Sequence, residues 1–168
     1  MQPVEVSVYY LEMVAWVRHT VAAPRSELTV FHQVKPSVEY YRILYNDVGE
    51  EYRWLSRRKL TDSELLSIIH DPLDELHVLQ VAGVDAGFAE LDCRVLGQIE
   101  IVQFGLLPAY VGQGLGKWFL SQIVEYCWSR SPDRVWLHTC TFDHAAALPN
   151  YQKAGFQLYK TELVHREY

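Results

Sequence analysis

Cysteine is scarce in this chain: three in 168 residues, Cys93, Cys127 and Cys140. The number is odd, the spacing is wide and each lies inside an apolar segment. That suggests reduced core thiols of a cytoplasmic protein, with neither a disulfide framework nor a zinc site. No apolar run approaches the roughly 18 residues of a membrane-spanning helix, so no membrane association is expected. The opening stretch, MQPVEVSVYY, has neither a basic n-region nor an apolar h-region, and no secretory signal is read there. Positive charge is short, with 15 Lys and Arg against 21 Asp and Glu. The net −6 argues against non-specific nucleic-acid binding and is compatible with a cationic partner. Internal repeats, low-complexity segments and linkers are all missing, which predicts one domain over residues 1–168.

What is present is an ordinary globular mixture, 49% apolar and 21% charged. Residues 4–13 and 27–34 alternate as strands do, with AAPRS as a turn between them. Pro36–Ser37 opens a helix to about Asn46, followed by the aromatic and charged segment VGEEYRWLSRRKL. Thr61–Asp62 caps a short helix, SELLSIIH, which stops at Asp71–Pro72. Strands are predicted at 77–83 and 86–94, joined through Val84–Asp85, and a longer one at 98–107 ends at Pro108. A helical pattern runs from Trp118 to about Arg130, closed by Ser131–Pro132, and RVWLHTC at 134–140 is a strand. A helix capped by Asp143 and ended by Gly155 leads to a last strand from Phe156. This order predicts an α/β (α+β) sheet with helices on both faces.

The run GQGLGK at 112–117 is the main departure from ordinary composition. Three glycines in five residues are costly inside a helix, yet a helix follows at once. A glycine turn feeding a helix N-terminus builds an anion site from backbone N–H groups. Walker A chemistry is excluded, because Val111 stands where its first glycine belongs and Trp118 where Ser or Thr must follow the lysine. The dinucleotide fingerprint also fails, with Lys117 and Phe119 at the places its third glycine would take.

The stretch Val111-Gly112-Gln113-Gly114-Leu115-Gly116, preceded by FGLLP, resembles the Gln/Arg-x-x-Gly-x-Gly/Ala loop of the GNAT superfamily of N-acetyltransferases. A second motif, HAAALPNYQKAGF at 144–156, is similar to that family's Asn-x-x-Ala-x-x-x-Tyr-x-Lys-x-Gly-Phe. The likeness runs from about His77 to Tyr159, the expected cofactor-binding core, with residues 1–35 as an N-terminal strand extension. It implies a mixed, mostly antiparallel central sheet, with a V-shaped splay between the strands at 98–107 and 134–140. It also implies acetyl-CoA as cosubstrate, no metal, and a pyrophosphate wrapped by the N–H groups of Gly112, Gln113, Gly114, Leu115, Gly116 and Lys117. Phe104, Gly105 and Leu106 are the implied strand contacts, and the freed strand N–H among them is the implied oxyanion donor. His144 takes the Asn place that helps hold the cofactor. It shares a helical face with Ala147 and Tyr151 at i, i+3 and i+7, and Pro149 is expected to kink that face. Val111 offers no side-chain contact, which implies weaker binding rather than none.

Acetyl transfer to an amine sets its own demands. A lysine-like ammonium titrates near 10.4, so freeing it at neutral pH costs about 4–5 kcal/mol and calls for a base. Glu100 stands eleven residues before the first loop position, the place of the strand glutamate in the histone-acetylating branch. It sits between Ile99 and Ile101, where burial raises a carboxyl pKa. Glu90, Asp92 or a water relay are the alternatives. Tyr151 matches the family's acid for the departing thiolate. Cys140 has no evident His partner that would make it a nucleophile, and His138 reads as a core or edge histidine. Toward the acceptor, Tyr40, Tyr41, Tyr45, Tyr52 and Trp54 with Glu39, Asp47, Glu50 and Glu51 suit an ammonium. Arg57-Arg58-Lys59 instead suits an acidic acceptor or the cofactor's adenosine phosphate. The expected function is acetylation of a primary amine of a small molecule in a ternary complex. A protein lysine or N-terminal acetyltransferase, or a CoA-binding module without turnover, stays open. The strands at 4–13 and 27–34 are candidates for a sheet edge and a homodimer contact.

Overall fold

The structure, a computed structural model, describes residues 3–168. In chain order the elements are β1 (Val4–Met13), β2 (Leu28–Gln33), α1 (Val38–Gly49), α2 (Asp62–Ile69), β3 (Asp74–Val81), β4 (Val84–Asp92) and β5 (Gln98–Leu106). A single 3-10 turn (Pro108–Tyr110) then leads to α3 (Leu115–Ser129), β6 (Arg134–Cys140), α4 (Ala147–Lys153) and β7 (Gln157–Arg166). All seven strands form one sheet in the order β2-β3-β4-β5-β6-β1-β7. Every pairing is antiparallel except β5 with β6.

Local chemistry starts α1 and α2 where the sequence indicates. The Ser37 side chain accepts from Tyr40 N at the head of α1. Thr61 and Glu64 close a reciprocal capping box on α2, satisfying two N–H groups that the helix cannot. Each face of the sheet then carries its own core. On one face α3 buries Phe119, Ile123 and Cys127 against Leu79, Leu91, Ile101 and Leu137, and Leu148 and Tyr151 of α4 pack onto the same cluster. On the other, Tyr41, Leu44 and Tyr45 of α1 and Leu65 of α2 cover Leu76, Val78 and Phe88. Helices therefore lie on both faces.

Several expected boundaries move. β3 begins at Asp74, not His77, because Asp74 and Glu75 are buried and already pair with Asp92 and Leu91 of β4. The β3–β4 turn is Ala82–Gly83, both at positive φ, and Val84–Asp85 already belong to β4. Asp143 does not cap a helix: α4 starts only at Ala147. The Asp143 carboxylate instead accepts from Thr139 Oγ1 (2.5 Å) and Cys140 N (3.1 Å), which holds the chain in a turn after β6. Pro149 then falls in the first turn of α4, where its missing N–H has no partner to lose, so no kink is required.

The N-terminal strands separate. β1 and β2 are not neighbours: β2 is one edge of the sheet, while β1 is inserted between β6 and β7. Val6, Val8, Leu11 and Met13 of β1 are all buried, so both of its faces need cover that an edge cannot supply. The edges are β2 and β7.

One interruption in the sheet positions everything that follows. The parallel ladder joins Gln98–Ile101 to Arg134–Leu137 and goes no further, although β5 runs on to Leu106 and β6 to Cys140. A bulge at Val102 shifts the β4–β5 register at the same level, with Leu91 opposite Ile101 and Glu90 opposite Gln103. Bulges bend a strand and re-aim its side chains.

Candidate active site

A cavity of about 1180 Å³ opens where β5 and β6 stop pairing. Its walls are Ile101–Leu106 of β5, His138 and Cys140 of β6, the glycine loop, the start of α4, the segment between α1 and α2, and the last residues of the chain.

The glycine loop is shaped as an anion cradle. Gly112 (φ 82°) and Gly114 (φ 78°) both adopt the left-handed conformation, and Gly114 is the N-cap of α3. A Cβ at Gly112 would meet nothing within 4 Å, so space is not the constraint; backbone conformation is. Among the described residues the N–H groups from Gly112 to Lys117 take no backbone partner. Oriented N–H groups at the positive end of a fifteen-residue helix suit a pyrophosphate. Gly112, Gly114, Gly116 and Lys117 line the cavity, as do Val111, Phe104, Gly105 and Leu106. Two residues of the expected set take other places. Leu115 is fully buried in the α3 core, and Gln113 is exposed with its Nε2 donating to Ala109 O (2.9 Å). Only their backbone N–H groups remain available to a ligand. Gly105 has a second constraint, since a Cβ there would sit 2.5 Å from Val48 Cγ1 of α1.

Tyr151 and His144 also reach the cavity, from different elements. Tyr151 lies on α4, its ring near Phe104 (6.3 Å) and Phe156 (6.2 Å). Its hydroxyl has no hydrogen-bond partner among the described residues. Burial, and then the Asp143 charge, raise its pKa above that of free tyrosine. His144 precedes α4 and so shares no helical face with Tyr151, because the chain there is held by Asp143. Its Nδ1 accepts from Ala146 N at 3.1 Å.

Glu100 is not part of the cavity wall. It projects to the α1 side of the sheet, opposite Ile99 and Ile101, and its Oε1 lies 3.9 Å from Nε2 of His138, which does line the wall. Burial, then repulsion from Asp92, push the Glu100 carboxyl up to about 7. Burial, then the Arg166 charge, lower the His138 pKa and favour the neutral imidazole. Reading His138 as a core or edge residue is therefore corrected: strand alternation put it on one face with Trp136 and Cys140, but only the register places Trp136 opposite Glu100.

The alternative bases are occupied. Glu90 is fully buried, its carboxylate accepting from the Tyr41 hydroxyl and from Arg57 Nη2 (2.5 Å). Asp92 is held by Arg94 through contacts of 2.7 and 3.0 Å, which with a backbone N–H bond keep its pKa below the usual carboxylate range. Arg57 and Lys59 of that basic triplet line the cavity, but Arg57 is committed to Glu90, as Arg58 is to Asn46. Of the expected acceptor aromatics, Tyr45, Tyr52 and Trp54 line the cavity, whereas Tyr41 is core and Tyr40 donates to Asp85. Trp54 is fixed by Nε1 donating to Asp143 Oδ1 at 3.2 Å. The sequence does not mark Asp143 as an organiser of the wall, since one of its partners, Trp54, lies far from it in the chain while the others close β6. Cys140 is half-buried, and burial raises its pKa, which keeps it a thiol and not a nucleophilic thiolate.

Comparison with known proteins gives three results. A family model described as Acetyltransferase (GNAT) family matches residues 38–156. No curated protein sequence matches the chain. Among solved structures, a GCN5-related N-acetyltransferase from Sphaerobacter thermophilus is similar at a TM-score of 0.73 and 18% identity, over 99% of this chain and 52% of that one. The ribosomal-protein-S18-alanine N-acetyltransferase from Escherichia coli is similar at 0.62 and 19%, over 77% of each chain. An aminoglycoside acetyltransferase from an uncultured soil metagenomic sample is similar at 0.64 and 13%, over 84% of this chain and 95% of that one. At these identities the likeness is one of fold, and the chain spans about half the length of the Sphaerobacter structure.

Proposed function

The chain belongs to the GNAT acetyltransferase family, and from that premise we propose that it transfers an acetyl group from acetyl-CoA to a primary amine of a small molecule. The observation that carries this reading is the convergence on one cavity of an anion cradle, an unpartnered tyrosine hydroxyl and a neutral histidine backed by a carboxyl. In this reading the protein works in the cytoplasm, where three free thiols persist.

His138 removes the proton from the bound ammonium and Glu100 takes it on. At 3.9 Å the handover needs one bridging water or a small turn of the ring. The free amine attacks the thioester carbonyl directly, and a backbone N–H from Phe104–Leu106, beyond the end of the ladder, stabilises the oxyanion. Tyr151 donates to the thiolate as it leaves. No covalent enzyme intermediate is formed.

Two measurements test this. The first is acetyl-CoA affinity by titration calorimetry. Gly114→Val forces a β-branched residue to φ near 78° and turns the cradle's donors, so affinity should fall at least about tenfold, the worth of one charge-assisted hydrogen bond. Equal affinity in a folded variant removes the loop from cofactor binding. The second is thiol release with a panel of small amines and peptides. Faster turnover of small amines is expected; preference for a peptide lysine or N-terminus overturns the small-molecule reading, and no turnover with any amine reduces the protein to a binding module. With the best acceptor, kcat/KM should climb as pH rises through about 7, because Glu100 must be ionised to receive the proton. Glu100→Gln should abolish that limb, with activity partly returning at high pH as the amine deprotonates unaided. Superimposable profiles would show that Glu100 takes no proton.

A further inference from the structure

At the far corner of the sheet, away from the cavity, three metal-ligand side chains meet at one place. His32 of β2 and His77 of β3 are directly opposite each other in the antiparallel ladder, their rings stacked at 4.9 Å. Glu75 precedes His77 by two residues and so shares its face. One ligand atom from each of the three lies within 4.8 Å of the other two.

The surroundings are arranged around the carboxylate. Tyr126 Oη of α3 (3.1 Å) and Nη1 of Arg130, the residue that caps the end of α3 (2.9 Å), donate to Glu75 Oε1. That leaves Oε2 toward His77, whose Nε2 is 3.2 Å away. The Tyr126 ring packs against His77 at a tilt, with centroids 4.4 Å apart, and closes that side of the cluster. His32 is exposed, and neither of its nitrogens nor Nδ1 of His77 has a hydrogen-bond partner among the described residues. One side is therefore built and buried, and the other is open to solvent with imidazole lone pairs unused.

We propose that His32, Glu75 and His77 bind a divalent transition-metal ion, Zn²⁺ by donor chemistry, which ties the edge strand β2 to β3. Two imidazoles and a carboxylate with a fourth, open position are a common zinc set, and outer hydrogen bonds such as those of Tyr126 and Arg130 orient the carboxylate ligand. Tetrahedral donors at about 2.0–2.2 Å from zinc stand about 3.4 Å apart, so the present separations must close by up to about 1.4 Å. His32, on an exposed edge, has the room to make that movement. The ion takes no part in acetyl transfer; it fastens the edge strand whose backbone pairs only with β3. Cysteine spacing, from which no zinc site was expected, carries no information about donors 45 residues apart on paired strands.

The test uses the full chain without a polyhistidine tag, stripped with chelator and titrated with ZnCl₂ by calorimetry and thermal melting. One ion per chain and a melting temperature that rises with zinc are expected. His32→Ala, an exposed change that should not disturb folding, should abolish both. His165→Ala, at an exposed histidine elsewhere, should change neither. Tyr126→Phe should weaken binding about 10–100-fold by releasing Glu75. No zinc-dependent stabilisation, or one undiminished in His32→Ala, would overturn the site.

Discussion

Tyr151→Phe should lower kcat by about 10²–10³-fold while leaving acetyl-CoA affinity within a few-fold. The ring is packed between Phe104 and Phe156, and phenylalanine keeps those contacts. Only the hydroxyl is lost, and it has no other partner among the described residues. Its raised pKa has two consequences. It keeps the group protonated at every working pH, so a donor is always present when the carbon–sulfur bond breaks. It also makes a weaker acid than free tyrosine, so part of the benefit is hydrogen-bond stabilisation of the forming thiolate instead of complete transfer. The effect is therefore placed in the lower part of the general-acid range of about 10²–10⁴. An acetyl donor with a more acidic leaving thiol should narrow the gap between variant and wild type. A loss below about threefold, with folding intact, would make Tyr151 a packing residue.

Glu90→Gln should destabilise the protein by about 3 kcal/mol at pH 7, the cost of leaving a buried charge without its partner. Glu90 is fully buried and Arg57 nearly so, their side chains 0% and 15% exposed. Replacing both, as Glu90→Gln with Arg57→Met, should recover most of that loss, since removing a buried pair together costs far less than breaking it. Asp74 supplies a pH signature. Burial and then the Glu90 charge raise its carboxyl pKa, and its Oδ2 has no partner. The folded protein thus keeps a proton that the unfolded chain releases above about pH 4. Stability contributed by that proton is present at low pH and is lost as pH rises toward the folded pKa. Removing the Glu90 charge relieves Asp74, flattens that decline and narrows the difference between variant and wild type as pH increases. Urea denaturation at pH 5 and pH 8 reads both effects. A loss under about 1 kcal/mol, or a difference that widens with pH, would contradict the buried-charge account.

Some of this was already decided by the order of residues. Ser37, Thr61 and Glu64 start α1 and α2 through bonds spanning three positions, and the left-handed glycines bracketing Gln113 feed α3 wherever the loop ends up in space. The glycine loop and YQKAGF carry the family likeness for the same reason: each works through backbone and side-chain groups within a dozen residues. The site itself depends on register. Glu100 reaches His138 because β5 and β6 align Glu100 with Trp136, and the cavity exists because that ladder stops at Ile101 and Leu137. Glu90 ceased to be a candidate base only when the α1–α2 segment brought Arg57 to it. Nor could alternation in 4–13 place β1 between β6 and β7, since alternation describes the faces of a strand and not its neighbours. Local propensities are settled over a few residues by torsions and nearby hydrogen bonds. Strand order and register are settled by which arrangement buries Val6, Val8, Leu11 and Met13 and pairs Glu90 with Arg57 and Glu75 with Arg130 at once, a sum over contacts distant in sequence that only the folded chain evaluates.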